Sequence, residues 1–389
     1  MTTVPPATSP LPMPQAPVLA LWAALGLAAP APAQEAPEPD VRRFTFGLSA
    51  DGSVGRLSSE DDVTTSLSLY PLLDARLAFP NGWVVDLQLA PEAYSSGAGG
   101  AMRNLGIDDP YFFASAIVTA PNGLAFGLEA DASFNRVEGG LEDETVFVFV
   151  ETPRLGRLAY GTLGSALSEY CVEALGESTN FSTDDLLTFG TCESPTEEGT
   201  LLYRSPDFAG GFAVAASVTR YDDDDLASEA AAESASLALV YAGAQGAAAI
   251  EASLAVEYVS EFVNLPENGA GDLLALQAGF ARTEGRWKWA VSGAQDFVDD
   301  PAEDRTTLAA GLQFTATDRL SLGAGASWGR LGFYQEAVGR EGEERSAGIT
   351  AEYAVIPDRL LVDAALIDVD RDFGDGDDTF VGVGFSFTF

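Results

Sequence analysis

The feature that most constrains the fold is a two-residue alternation of apolar with small or polar side chains along most of the chain. It is clearest in residues 379–389, TFVGVGFSFTF, where from the third residue onward every second side chain is Val or Phe. The same alternation recurs at 44–51, 83–89, 124–135 and 286–292. Because successive side chains of a β-strand point to opposite faces, these segments are predicted to be strands with one apolar face.

Short and long connections alternate between the predicted strands. The short ones, such as Pro80–Gly82 and Pro121–Gly123, consist of residues that favour turns, whereas the long ones are acidic or rich in small residues. This pattern is typical of an up-and-down barrel with tight turns at one rim and loops at the other. Counting the segments predicts about 18 strands, or about 16 or 20 if one hairpin is missed or invented, with both termini at the short-turn rim.

The two faces of the predicted strands differ in a way that favours a membrane. The apolar face persists through nearly every strand, whereas the other face carries Asp, Glu, Arg, Gln and Ser, as in a barrel with lipid outside and water inside. Aromatic side chains lie toward strand ends, for example Phe44, Trp83 and Trp328. The alternative is an exported soluble β-protein. The predicted fold is an all-β, transmembrane, antiparallel up-and-down β-barrel of about 16–18 strands over residues 42–389.

Composition excludes several classes of function. Asp and Glu total 59 against 20 Lys and Arg, so the formal net charge is −39, which argues against a nucleic-acid partner. The chain has no His, which excludes a Ser-His-Asp triad and any histidine-ligated metal. Two Cys cannot build a structural zinc site. With no catalytic constellation in view, the sequence predicts a protein that is not an enzyme.

The N-terminal residues 1–33 are predicted to be a signal peptide. An uncharged leader contains an apolar core at Val18–Ala29, followed by the Ala-x-Ala pattern at Ala31–Ala33. Cleavage after Ala33 would leave a short N-terminal segment, 34–41, before the barrel. The leader lacks the usual positive charges, which translation from Met13 would explain. The alternative is a disordered leader rich in Pro and Ala.

Three stretches resemble the Gram-negative general porins, notably those of alphaproteobacterial type. Gly156–Ala166 is similar to the family's strand before its pore-folding loop, Gly199–Ser217 to the hairpin after that loop, and Val381–Phe389 to the terminal strand. The resemblance implies a homotrimer in the outer membrane, with Phe389 as the C-terminal signal for the barrel-assembly machinery. Family porins have about 16 strands and a third pore-folding loop, whereas the count here places the loop fourth.

By this resemblance, the longest connection, residues 163–198, folds inward and constricts the lumen. It contains no Lys or Arg and carries the predicted acidic side of the constriction: Glu169, Glu173, Glu177, Asp184, Asp185 and Glu193. Strand parity assigns the predicted basic pore wall to four inward arginines: Arg43, Arg76, Arg157 and Arg204. Opposed charges across a narrow opening create a strong local field. The alternative is that the acids are solvated loop charges and the arginines pair with inward neighbours.

Both cysteines, Cys171 and Cys192, fall in this connection. In an oxidising periplasm they are candidates for a disulfide that closes about 20 residues and holds the loop in the lumen. The alternative is two free thiols.

Two acidic runs invite a calcium interpretation. Asp368–Asp378 begins like an EF-hand, but Phe373 stands where glycine is needed and Thr379 where the closing glutamate belongs. Tyr221–Asp225 has no ligand spacing. We interpret both as solvated loops and predict no cofactor or metal site, although divalent cations could bridge such loops to lipopolysaccharide.

The resemblance implies passive diffusion of small hydrophilic solutes and ions across the outer membrane of a Gram-negative bacterium. The excess of acidic residues predicts a preference for cations. One alternative is a substrate-specific channel, for example for carbohydrate, which would need aromatic side chains along the lumen; few beyond Tyr70 are expected there. Another is a structural or adhesive barrel that does not conduct.

Overall fold

The computed structural model describes residues 41–57, 64–97, 111–135, 140–173, 192, 199–220, 233–262, 271–298, 304–330, 342–357, 359–371 and 378–388. They form eighteen β-strands in one sheet. The strands are β1 (Val41–Leu57), β2 (Thr64–Ala78), β3 (Val84–Gly97), β4 (Tyr111–Thr119), β5 (Ala125–Asn135), β6 (Gly140–Thr152), β7 (Gly156–Gly161), β8 (Thr200–Arg204), β9 (Phe212–Arg220), β10 (Glu233–Gln245), β11 (Ala248–Phe262), β12 (Gly271–Glu284), β13 (Trp287–Phe297), β14 (Arg305–Thr317), β15 (Leu320–Arg330), β16 (Glu343–Ile356), β17 (Leu360–Arg371) and β18 (Asp378–Thr388).

The sheet closes on itself. Every strand pairs antiparallel with its neighbours in sequence, and β1 also pairs with β18, from Ser49 opposite Thr388 to Leu57 opposite Phe380. Closure leaves no sheet edge, which is the condition for a β-structure to lie in lipid. The predicted up-and-down barrel is thus confirmed, with the 18 strands that the sequence count favoured.

The predicted short turns connect consecutive strands at one rim. In the two Pro-Asn-Gly turns, the Asn81 and Asn122 side-chain oxygens each accept a hydrogen bond from the backbone N–H two residues on. The glycines that follow, Gly82 and Gly123, both have φ of +82°, a conformation that favours glycine. The same local chemistry therefore builds the same turn twice.

The apolar face of the strands points outward. In β12, Leu274 and Leu276 are exposed, whereas Leu273, Ala275 and Gln277, which alternate with them, are buried. Aromatic pairs lie at the short-turn ends, with ring centres 4.4 Å apart for Trp287 and Phe314. This distribution, large apolar side chains on the outside and mainly small or polar ones on the inside, is typical of a membrane barrel.

The long connection at residues 162–199 follows β7 and is therefore the fourth at the loop rim. Its first part contains one short helix, α1 (Ala166–Glu169). No helix among the described residues is long and apolar enough to cross a membrane. The predicted signal peptide, Glu177, Asp184, Asp185, Glu193, the run Tyr221–Asp225 and Phe389 lie outside the described residues.

Candidate pore constriction

The root of the β7–β8 connection, residues 162–173, packs against the inner wall of the barrel. Leu163, Ala166 and Leu167 belong to one buried cluster, and Leu167 is only 2% exposed. The wall beneath them supplies small side chains from four successive strands: Ala215, Ala238, Ala255 and Ala275. Alanine at these inward positions leaves the space that the connection fills, so the loop root and the wall form a small core inside the lumen.

Hydroxyl groups of the wall bind the backbone of this loop root. The Thr200 hydroxyl donates to the Leu163 carbonyl oxygen at 2.7 Å. The Ala166 N–H donates to Ser217 Oγ at 2.9 Å, and the Val172 N–H donates to Ser253 Oγ at 2.8 Å. A loop inside a barrel has no ladder partners for its polar backbone groups, and these side chains satisfy them.

A buried carboxylate, Glu257 on β11, holds the same segment. It is 0% exposed and accepts hydrogen bonds from the hydroxyls of Ser165, at 3.0 Å, and Ser234, at 2.8 Å. Ser165 comes directly before α1, so Glu257 links the loop to two strands of the wall. Burial of a carboxylate is costly unless such donors compensate it.

The root ends in a close backbone contact and a disulfide. A Cβ at Gly279 on β12 would overlap the carbonyl oxygen of Val172, so the approach requires glycine there. Cys171, the preceding residue, forms a disulfide with Cys192, and their Cα atoms are 5.6 Å apart. The cross-link therefore joins a distant part of the connection to a point that is fixed on the wall.

A cavity of about 230 Å³ opens beside the loop root. We call it the wall cavity. Its lining combines two guanidinium groups, two carboxylates and apolar side chains: Glu129, Phe147, Arg157, Ala159, Glu169, Tyr170, Leu202 and Arg204. Arg157 and Arg204 are directly opposite each other on β7 and β8. Arg157 lies 3.5 Å from Glu129, and Arg204 lies 2.8 Å from Asp207.

Aromatic rings support the two arginines. The Arg157 guanidinium lies 4.0 Å from the ring centre of Phe149 and 5.7 Å from that of Phe147. Arg204 lies 6.0 Å from the ring centre of Tyr170. The Phe149 ring occupies the space above Gly127, where a Cβ would overlap it. Cation–π contact of this kind orients a guanidinium without neutralising its charge.

The phenol of Tyr170 stays protonated at neutral pH. Burial raises the pKa of Tyr170 above its ordinary value of 10.0, and the nearby Glu169 and Glu151 act in the same direction, while Arg204 and Arg157 oppose them. The hydroxyl is therefore a neutral hydrogen-bond donor at the edge of the wall cavity.

Residues 19–389 match the family model described as Gram-negative porin. The chain belongs to the Gram-negative porin family. This is a family of channel proteins, and together with the closed barrel it places the porin in the outer membrane. Among curated proteins no match is found.

Solved structures share the fold of this porin. The anion-selective porin from Comamonas acidovorans is 12% identical with a TM-score of 0.57, and the match covers 90% of this chain and 100% of that chain. OmpT of Vibrio cholerae, an outer membrane protein folded in vitro, is 15% identical with a TM-score of 0.56, covering 92% and 100%. Acinetobacter baumannii OccAB2 is 11% identical with a TM-score of 0.55, covering 89% and 98%.

Three of the predicted constriction residues come together in the porin. Glu169, Arg157 and Arg204 line the wall cavity. Glu173 is exposed and is not part of its lining. Cys171 and Cys192, which the sequence left open, are bonded to each other.

The other two predicted arginines lie elsewhere in the porin. Arg43 and Arg76 are opposite each other on β1 and β2, and four strands, β3 to β6, separate them from β7. Arg76 is 3.5 Å from Asp86 on the next strand, so this arginine has the inward neighbour that the alternative interpretation expected.

Sequence reasoning missed the two inward phenylalanines of β6, Phe147 and Phe149, and the buried carboxylate of Glu257. The expectation of few inward aromatics is wrong on β6, where Phe147 and Phe149 face Arg157. The segment VFVFV at 146–150 is apolar on both faces, so alternation alone cannot assign its inner side. Register with Glu129 on β5, which pairs with Phe147, is the signal that could have found it.

Among the described residues no group of three or more His, Cys, Asp or Glu side chains could hold a metal ion. The described part of the acidic run 368–378 makes ordinary contacts. Asp368 accepts a hydrogen bond from Thr379 at 3.2 Å, and Asp378 lies 3.9 Å from Arg371.

Proposed function

We propose that this porin is a passive diffusion channel for small hydrophilic solutes and ions, with a preference for cations. The observation that carries the proposal is the root of the β7–β8 connection inside the closed barrel, where wall hydroxyls, Glu257 and Gly279 hold it. A loop fixed in a polar lumen narrows the path without a moving part, which suits diffusion down a gradient.

The charge of the inner face supports the preference for cations. Among the described residues, the buried charged side chains are five acids and one arginine: Glu257, Asp296, Glu344, Asp363, Asp378 and Arg305. Arg305 lies 2.6 Å from Asp296, so these two charges compensate each other. Arg371 lies 3.8 Å from Glu344 and 3.9 Å from Asp378, so the five acids still outnumber the two arginines near them. With a net charge of −39 on the chain, the lumen attracts cations and repels anions.

The test is the reversal potential of the purified protein in a planar bilayer under a KCl gradient. A potential with the sign of potassium selectivity is expected. The opposite sign, as for the anion-selective relative, would contradict the cation preference. A folded, inserted protein that never conducts would contradict the channel and favour a structural barrel.

A substrate-specific channel is the second candidate, and the wall cavity is the observation that favours it. Phe147 and Tyr170 place aromatic surface beside two guanidinium groups in this cavity. Saturation of solute flux at high concentration distinguishes this candidate, because a purely passive pore gives flux in proportion to concentration.

We further propose that the porin is a homotrimer. OmpT of Vibrio cholerae has been solved in a trimer form at 14% identity. In this chain a row of exposed small side chains, Ala310, Ala326 and Ala347, crosses β14 to β16, and small residues let neighbouring barrels approach closely. A mass of three chains in detergent, measured by light scattering, is expected, and a monomeric mass would contradict it.

Export and lipid contacts complete the proposal. Removal of residues 1–33 would give a mature N-terminus at Gln34, which mass spectrometry of the purified protein tests. The C-terminal strand would present Phe389 to the assembly machinery.

At the loop rim, Arg345 donates a hydrogen bond to Glu343 at 2.9 Å, and the Trp328 ring N–H donates to Glu343 at 3.2 Å. This group of charged and aromatic side chains suits contact with the headgroups of lipopolysaccharide and with bridging divalent cations.

A further inference from the structure

We propose that the wall cavity is a binding site for small zwitterionic α-amino acids with an apolar or aromatic side chain. The proposal rests on the channel function above and names a solute class for it. The recess combines two guanidinium groups, two carboxylates and some apolar side chains, so it offers partners for both charges and for the side chain of such a solute.

The arginine pair is suited to the carboxylate of such a solute. Arg157 and Arg204 are cross-strand partners, so both side chains leave the same face of the sheet side by side. A guanidinium has five N–H donors, and the contacts to Glu129 and Asp207 use only part of them. Two adjacent guanidinium forks match a carboxylate geometrically as well as electrostatically.

The acidic side of the cavity is suited to the ammonium group. Glu129 and Glu169 both line the recess, and the Glu169 carboxylate is oriented by the Gly164 N–H, which donates to its Oε1 at 3.1 Å. Two positive and two negative groups balance one another. The recess therefore favours a solute that carries both charges over a simple anion or cation.

Size and apolar lining restrict the rest of the solute. Most of the exposed lining of this cavity of about 230 Å³ is polar, and Phe147, Leu202 and Tyr170 supply its smaller apolar part. A cavity of about 150 Å³ is enough for benzene, so one amino acid with a phenyl side chain fits and an oligosaccharide does not. The ring of Phe149 is already covered by Arg157 and packs over Gly127, which leaves it no open face for a sugar.

The experiment measures ion current through the reconstituted full-length protein while solutes are added. L-phenylalanine is compared with phenylacetate, phenethylamine and glucose in the same KCl solution. Phenylalanine is expected to reduce the current saturably and at the lowest concentration, because it alone offers both charges and a phenyl group. Equal or stronger block by either single-charge analogue would overturn the zwitterion site, and equal block by glucose would overturn it in favour of a carbohydrate channel.

Matched variants locate the site. Arg204→Gln is expected to raise the half-blocking phenylalanine concentration about ten-fold, because a charged hydrogen bond to the carboxylate is lost. Arg43→Gln, an inward arginine of the other cross-strand pair, is expected to leave that concentration unchanged. Equal effects of the two variants would overturn the assignment.

The same recordings separate the two proposals. Current in KCl without selective block means that the channel stands and the binding site fails, whereas absence of current means that the channel itself fails. The comparison of the four solutes needs only the unaltered protein, so a variant that fails to fold does not remove the test.

Discussion

At the scale of single residues, side chains of the wall hold the backbone of the loop root in place. Ser217 and Ser253 accept hydrogen bonds from backbone N–H groups of the β7–β8 connection. The carboxylate of Glu257 accepts hydrogen bonds from two hydroxyl groups. The sequence alone does not single out these residues, because Ser and Glu are common on the inner face of a water-filled barrel. Their role follows from the loop backbone that lies over them.

Substitution Glu257→Gln tests the buried anchor. An amide keeps the shape of the side chain but replaces one acceptor oxygen with a donor, so one of the Ser165 and Ser234 hydroxyls loses its carboxylate acceptor. The free energy of unfolding in detergent is expected to fall by about 1–3 kcal/mol, with larger current fluctuations in bilayers. Glu251→Gln is the control, since Glu251 lies on the same strand and is exposed. Identical unfolding midpoints for both variants would contradict the role of Glu257.

Substitution Gly279→Ala tests the close approach of the loop to the wall. The new methyl group would overlap the Val172 carbonyl oxygen, so the loop root must move. Overpacking of this kind costs about 1–3 kcal/mol, and the displaced loop is expected to change the single-channel conductance. Gly329→Ala is the matched control, because a Cβ there would lie 3.4 Å from Glu344 Cγ, an ordinary contact. Unchanged conductance and stability in Gly279→Ala would show that the approach is not required.

At the scale of elements, the sequence predicted the strands and turns because both are local. The alternation and the two Pro-Asn-Gly turns are complete within a few residues, whereas closure depends on the pairing of β1 with β18. Phe147 and Phe149 could not be assigned to the lumen, since β6 is apolar on both faces and only pairing with Glu129 fixes its inner side. The packing of α1 over Ala215 and Ala238 is a contact between distant segments, and no local pattern records it.

The disulfide belongs to this scale because it fixes one element against another. It joins residues 21 apart, and in the chain-entropy view closing such a loop stabilises the folded protein by about 3 kcal/mol. Reduction is expected to lower the unfolding midpoint and to increase current noise, since Cys171 is fixed beside Val172 while Cys192 is released. The Cys171→Ser, Cys192→Ser double variant should not respond to reductant. Two titratable thiols in denatured, unreduced protein would refute the bond.

At the scale of the whole molecule, charge and closure act together. The closed ladder separates an apolar outside from an inside whose buried charged side chains, among the described residues, are mostly acids, and the loop root lies against that inner wall. The field in the lumen is therefore the sum of many carboxylates on the wall and not the property of one residue. A single substitution such as Arg43→Gln is expected to change the ratio of cation to anion permeability less than a rise in salt from about 0.1 M to about 1 M does.

Selectivity should consequently weaken as salt rises. The Debye length falls from about 10 Å at 0.1 M to about 3 Å at 1 M, so at high salt the wall charges act only on ions that touch them. The ratio of potassium to chloride permeability, measured from reversal potentials, is expected to fall toward the ratio of the ions' free mobilities. Flux of a neutral sugar through the same channels is the control and should stay constant, because it carries no charge for the field to act on. A permeability ratio that does not change with salt would instead locate selectivity at a site where ions contact the protein directly, and the net charge of −39 would then not be its source.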